Sequence, residues 1–66
     1  MKITVNGDAV ELPAASSITQ LLEHLHMTGG RVAVELNQQI IPRSQHAEQP
    51  LKEGDVVEIV HAIGGG

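Results

Sequence analysis

Ile3 and Val5 recur at period two near the N-terminus, and Val10 and Leu12 do so again a few positions later. Alternation of this kind is the mark of a half-buried strand. Between the two runs stand Asn6 and Gly7, both tolerant of positive φ, as a type I′ hairpin turn demands. The pattern predicts a β-hairpin of residues 2–6 with 9–12, closed by Pro13. The period then changes. Ile18, Leu21, Leu22 and Leu25 fall at i, i+3, i+4 and i+7, which puts them on one helical stripe. Ser17-Ile18-Thr19-Gln20 has the form of a capping box, in which the Ser17 hydroxyl accepts from a first-turn N–H and Gln20 reaches back. A helix over 17–27 follows, with Met27 near its end and Gly29 suited to a left-handed C-terminal cap.

Alternation returns in Val32, Val34 and Leu36, interleaved with Arg31, Ala33 and Glu35. This predicts a third strand, then a turn at Asn37-Gln38 and a brief edge strand at Ile40-Ile41 that Pro42 cuts off. Residues 43–54 read as a polar loop from which Leu51 dips into the core. Glu53-Gly54-Asp55 is a turn, and it launches an apolar run over 56–63. A strand apolar on both faces belongs at the centre of its sheet. A helix placed between two strand groups covers one sheet face, and the long connection lets the last strand pair in parallel beside the first. The order is that of an α+β, ubiquitin-like β-grasp: a mixed sheet of four to five strands with one helix on one face. Residues 1–63 form the domain, and Gly64, Gly65 and Gly66 are expected to be a flexible tail.

Composition narrows the picture. A chain of 66 residues is one small domain, and with 0% aromatic content its core must come from Ile, Val, Leu, Ala and Met. It has no cysteine, which excludes disulfides, thiolate metal sites and a catalytic thiol. There is no apolar run of membrane-spanning length and no long apolar segment of signal-peptide type, so a cytoplasmic location is expected. The formal net charge is −4, and the four basic residues Lys2, Arg31, Arg43 and Lys52 are scattered. Nucleic-acid binding needs a basic stripe, and stacking on single strands needs aromatic rings; neither is present.

The candidate chemistry is sparse. His24 and His26 sit two apart on the helix and point apart, and no histidine pair has ligand spacing, so His24, His26, His46 and His61 are read as solvated or edge residues and no metal is expected. The carboxylates Asp8, Glu11, Glu53, Asp55 and Glu58 lie at turns and strand edges, with no enclosed pocket to perturb them. No hydroxyl sits in a nucleophile-elbow motif. No cofactor and no catalytic residue is expected. Two features remain. One is the last strand, whose Val57, Ile59 and His61 face one side and Val56, Glu58, Val60 and Ala62 the other. With one helix to cover the sheet, one of these sets lies open as a candidate docking patch, and Glu58 beside Val60 and Ala62 suggests the second set. Ile63 joins this candidate set at the strand's end. The other feature is the glycine run. It follows a central strand without a spacer, and without Cβ atoms it can thread a narrow channel.

The Asn6-Gly7 turn, "SITQLLEHL", "VAVELNQQIIPRSQH", "EGDVVEIVHAIGGG" and the length of 66 together resemble the sulfur carrier family of thiamine biosynthesis, over essentially the whole chain. The resemblance implies a β-grasp carrier that is a substrate of partner enzymes and not itself an enzyme. The carboxylate of Gly66 would be activated by an ATP-dependent adenylyltransferase, converted to a thiocarboxylate with sulfur from a donor system, and delivered to thiazole synthase. Gly65 and Gly66 match the family's terminal pair; Gly64 matches a position that is small but less fixed. A di-glycine end is shared with the molybdopterin-synthase small subunit and with ubiquitin-like modifiers. Carriers for molybdopterin, cysteine or methionine synthesis, a conjugation tag and a plain interaction module therefore stay open as alternatives.

Overall fold

The computed structural model describes residues 1–28 and 31–61. Five strands form one sheet: β1 (Lys2–Val5), β2 (Asp8–Glu11), β3 (Val32–Leu36), β4 (Gln39–Ile41) and β5 (Val56–His61). Their spatial order is β2-β1-β5-β3-β4, so the last strand lies in the middle, as its apolar run predicts. β1 and β5 are parallel; the β1–β2, β3–β4 and β3–β5 pairs are antiparallel. One helix, α1 (Ile18–His24), packs on one face. This is the β-grasp expected from the sequence.

The turn chemistry explains the hairpins. Asn6 and Gly7 have φ of 49° and 89°, and Asn37 and Gln38 have φ of 50° and 72°. Positive φ at both central residues is what a type I′ turn requires. Both asparagines then do more than turn the chain. The Asn6 side chain accepts from the Ile59 N–H at 2.8 Å, and its Nδ2 donates to the Ile59 carbonyl at 3.0 Å. It thereby replaces a strand residue and lengthens the β1–β5 ladder, whose Cα register covers only Thr4 with Val56 and Val5 with Val57. On the other side of β5, Asn37 Oδ1 accepts from the Val56 N–H at 2.9 Å, while Asn37 Nδ2 donates to Asp55 Oδ1 at 3.1 Å. Asp55 is buried, and its second oxygen accepts from the Lys52 N–H at 2.8 Å. A buried carboxylate with such partners is a structural knot.

The helix begins as the sequence indicates. Ser17 caps it, with Gln20 N–H on the Ser17 hydroxyl and the Ser17 N–H on Gln20 Oε1. It ends earlier than residue 27. His26 adopts φ of 59°, its N–H bonds the Glu23 carbonyl, and the Met27 N–H bonds the Leu22 carbonyl. These two bonds form a Schellman motif with a histidine in the left-handed position. The cap expected of Gly29 is thus made at His26, and Gly29 itself lies outside the described residues. The other departure is at residues 43–54, read as an open loop: Arg43–Glu48 form a 3₁₀ helix that packs beside α1. Its His46 is buried, not solvated, because Nε2 donates to the Ile41 carbonyl at 3.0 Å.

The core is wholly aliphatic. Ile3, Val5, Leu12, Ile18, Leu21, Leu22, Val34, Leu36, Leu51, Val57 and Ile59 are buried in one cluster, and Leu51 joins it from the loop as expected. No buried side-chain N or O lacks a hydrogen-bond partner among the described residues.

Two substitutions check this account by urea denaturation. Asn6→Ala removes two hydrogen bonds that complete the central ladder, and should destabilise the fold by about 2 kcal/mol. His26→Gly relieves left-handed strain at the cap, and should raise stability by about 0.5–1 kcal/mol.

Candidate docking face and strand end

β5 alternates strictly between the two sides of the sheet. Val57 and Ile59 point to the helix and are buried; Val56, Glu58 and Val60 point away and are exposed. Val56, Glu58 and Val60 of the second set named from the sequence therefore lie open. Val56 is 49% and Val60 61% accessible, high values for apolar residues on a central strand. They are exposed because α1, the 3₁₀ helix and Leu51 all serve the opposite face. No described element covers the outer one.

The register assembles more of this face than one strand shows. Val60 lies opposite Ala33 of β3, Glu58 opposite Glu35, and Val56 beside Thr4 of β1. Glu35 in turn lies opposite Ile40 of β4, which is 72% accessible. Ala33, Glu35 and Ile40 thus extend the candidate set. Sequence alone does not show this, because their proximity to β5 depends on strand order. Ala62 and Ile63, also candidates, lie outside the described residues, as do Gly64, Gly65 and Gly66 and the expected boundary between domain and tail.

The remaining titratable groups are spread through the fold. His24, His26 and His61 are exposed. A cleft beside α1 brings Arg43 and His46 near Thr19 and Thr28, but the His46 ring is engaged by the Ile41 carbonyl. Glu53 accepts from the Lys2 N–H, and the buried Ser16 hydroxyl donates to the Pro13 carbonyl. Among the described residues no hydroxyl is hydrogen-bonded to a histidine, and no group of three or more His, Asp or Glu is placed to hold a metal ion. The arrangement offers a surface and a strand that leads out of it.

The sequence model of the ThiS family matches residues 3–66. The chain belongs to the ThiS family. Among its relatives is the sulfur carrier protein ThiS of Escherichia coli, 35% identical over 66 residues, with both chains covered in full. Another is a thiazole synthase of Paramagnetospirillum magneticum, 39% identical over 66 residues; the chain spans 20% of that protein's length. The crystal structure of the thiamine biosynthesis protein (ThiS) from Geobacter metallireducens matches with a TM-score of 0.86 and 33% identity, covering all of both chains. The ThiS match therefore includes the strand end and the glycine run as well as the sheet.

The two faces of β5 should respond differently to substitution. Val60→Ser on the open face should change stability by no more than about 0.5 kcal/mol. Ile59→Ala on the covered face should cost about 2–5 kcal/mol. Paired urea melts of the two variants read the contrast directly.

Proposed function

We propose that this ThiS-family chain is a sulfur carrier for the thiazole ring of thiamine, with the carboxylate of Gly66 as its reactive group. The observation that carries this reading is the full-length match to a sulfur carrier protein, which runs through Gly66. The reading treats residues 1–63 as the carrier body and 64–66 as the tail. A carboxylate is a poor acyl donor, since its leaving group would be oxide. Attack of the Gly66 carboxylate on the α-phosphorus of ATP releases pyrophosphate and leaves an acyl-adenylate. Hydrosulfide released by the donor system then forms the C–S bond as the C–O bond to AMP breaks, and the product is a thiocarboxylate with AMP set free.

The chain itself supplies no catalytic group for these steps in this reading; partner enzymes do. One partner is an ATP-dependent adenylyltransferase, and a sulfur donor system supplies the nucleophile. The recipient is thiazole synthase. Support for that recipient comes from the thiazole synthases that carry a similar segment within a longer chain. The glycines suit the task because a stalk without Cβ atoms enters a narrow active site where larger residues would clash. The exposed set Val56, Glu58 and Val60, with Ala62 and Ile63 beyond it, is the proposed docking patch. Bringing the acyl group and the sulfur nucleophile together is an effect of positioning, and the body supplies it by being held.

The test is intact mass spectrometry after incubation with the adenylyltransferase, ATP and a sulfur source. Exchange of one oxygen for sulfur at Gly66 is expected, and deletion of Gly65-Gly66 should abolish it. An unchanged mass, with an adenylyltransferase shown to be active, would overturn the reading. Amide-linked conjugates on lysines of other proteins would indicate a tag instead.

A further inference from the structure

At the middle of the open face, Glu35 of β3 and Glu58 of β5 stand directly opposite each other in the antiparallel ladder. Residues so paired have Cβ atoms about 4.5–5.5 Å apart, and like charges there are destabilising. No ion pair to either carboxylate forms among the described residues. Neither side chain donates to, or accepts from, any group that holds the fold together there; the knots of the sheet are made by Asn6, Asn37 and Asp55. The register therefore sets two like charges opposite each other at the centre of the sheet, with no cation of the described residues paired to either.

The surroundings of the pair are apolar. Val60 and Ala33 occupy the next outward-facing rung on one side, Val56 lies on the other, and Ile40 adjoins Glu35 from β4. Two anions framed by exposed Val, Ile and Ala are the complement of a cation carried on an apolar stem. Arginine meets that description better than lysine. Its planar guanidinium presents several N–H donors in a fixed fork that can serve two carboxylates at once, and its methylenes pack on aliphatic surface. Charge-assisted bonds of this kind are among the strong ones, and they gain further when an apolar rim excludes water.

We infer that the Glu35–Glu58 pair is the seat for an arginine side chain presented by a protein partner, with Val56, Val60, Ala33 and Ile40 as its apolar rim. The inference rests on the proposed reading of this face as a docking surface, and it names what the docking partner must bring. Binding then relieves a repulsion that the free chain bears, so the partner gains affinity from both the new bonds and the lost strain. It also gives the carrier discrimination, because a surface that opposes the pair with an acid or with no charge leaves two carboxylates desolvated and unpaired.

The test uses the double variant E35Q/E58Q, titrated calorimetrically against the thiazole synthase of the same organism at low and raised salt. The wild-type chain should bind, more weakly as salt rises. The double variant should lose about tenfold or more in affinity and most of the salt dependence. Its Tm should be equal to or above that of the wild type, which separates lost docking from lost folding. Equal affinity for the double variant and the wild type would overturn the seat, and so would absence of wild-type binding. A chain that takes up sulfur yet binds equally well with and without the two charges keeps the carrier reading and loses the arginine seat. A chain that neither takes up sulfur nor binds loses both.

Discussion

The structure depends on how its last strand is held. β5 enters the sheet between β1 and β3, and its register with β1 is short, two Cα pairs long. A parallel contact of that length, made across most of the chain, is weak support for a central strand. The deficit is met at both ends by side chains that act as backbone. Asn6 engages both polar groups of Ile59, and Asn37 engages Val56 while tying down the buried Asp55. Backbone bonds from Thr4 to Asp55 and from Gly54 to Lys2 close the entry to the strand. With β5 fixed, Val57 and Ile59 complete the aliphatic core, and α1 has a surface to cover.

Much of this is legible in the chain. Period two marks the strands, the i, i+3, i+4, i+7 stripe marks the helix, and the capping box marks where it starts. Asn6-Gly7 announces its turn, and the run of 56–63, apolar at nearly every position, announces a central strand. What stays hidden is hidden for physical reasons. His46 reads as a surface residue because its type is polar; only the fold shows that the Ile41 carbonyl lies within reach of its ring. The cap at His26 is unexpected because left-handed φ favours glycine, and Gly29 is the residue that composition points to. The second task of Asn6 and Asn37 needs strand order, which no local pattern contains. The open face is half legible: alternation along β5 separates Val56, Glu58 and Val60 from Val57 and Ile59, but the neighbours Ala33, Glu35 and Ile40 come from register.

The distribution of roles follows from size. A chain of 66 residues with no aromatic side chain has material for one core, and it spends that material on one face of the sheet. The other face is left open, and its composition differs from that of a wholly polar one. A solvated sheet face alternates polar residues with few constraints, whereas this one sets large aliphatic residues at Val56, Val60 and Ile40 around opposed acids. A domain so built spends its buried polar side chains, Ser16, His46 and Asp55, on holding the fold together. It is suited to being gripped.

Gripping such a body also positions what leaves it. The proposed docking face and the root of the segment after His61 belong to the same strand: Val60 is exposed on that face, and His61 is the next residue. Residues 62–66, fully extended, reach at most about 18 Å. In the proposed reading, a partner that seats the outer face holds Gly66 within that reach of the end of β5. Within that volume the three glycines leave the approach sterically open, at an ordering cost of about 1–2 kcal/mol per residue that the partner's contacts must offset. Affinity and reach are thus separable in the chain. In the proposed reading the sheet face decides which partner is bound, and the length of the segment after His61 decides how near to that face the partner's reactive groups must stand.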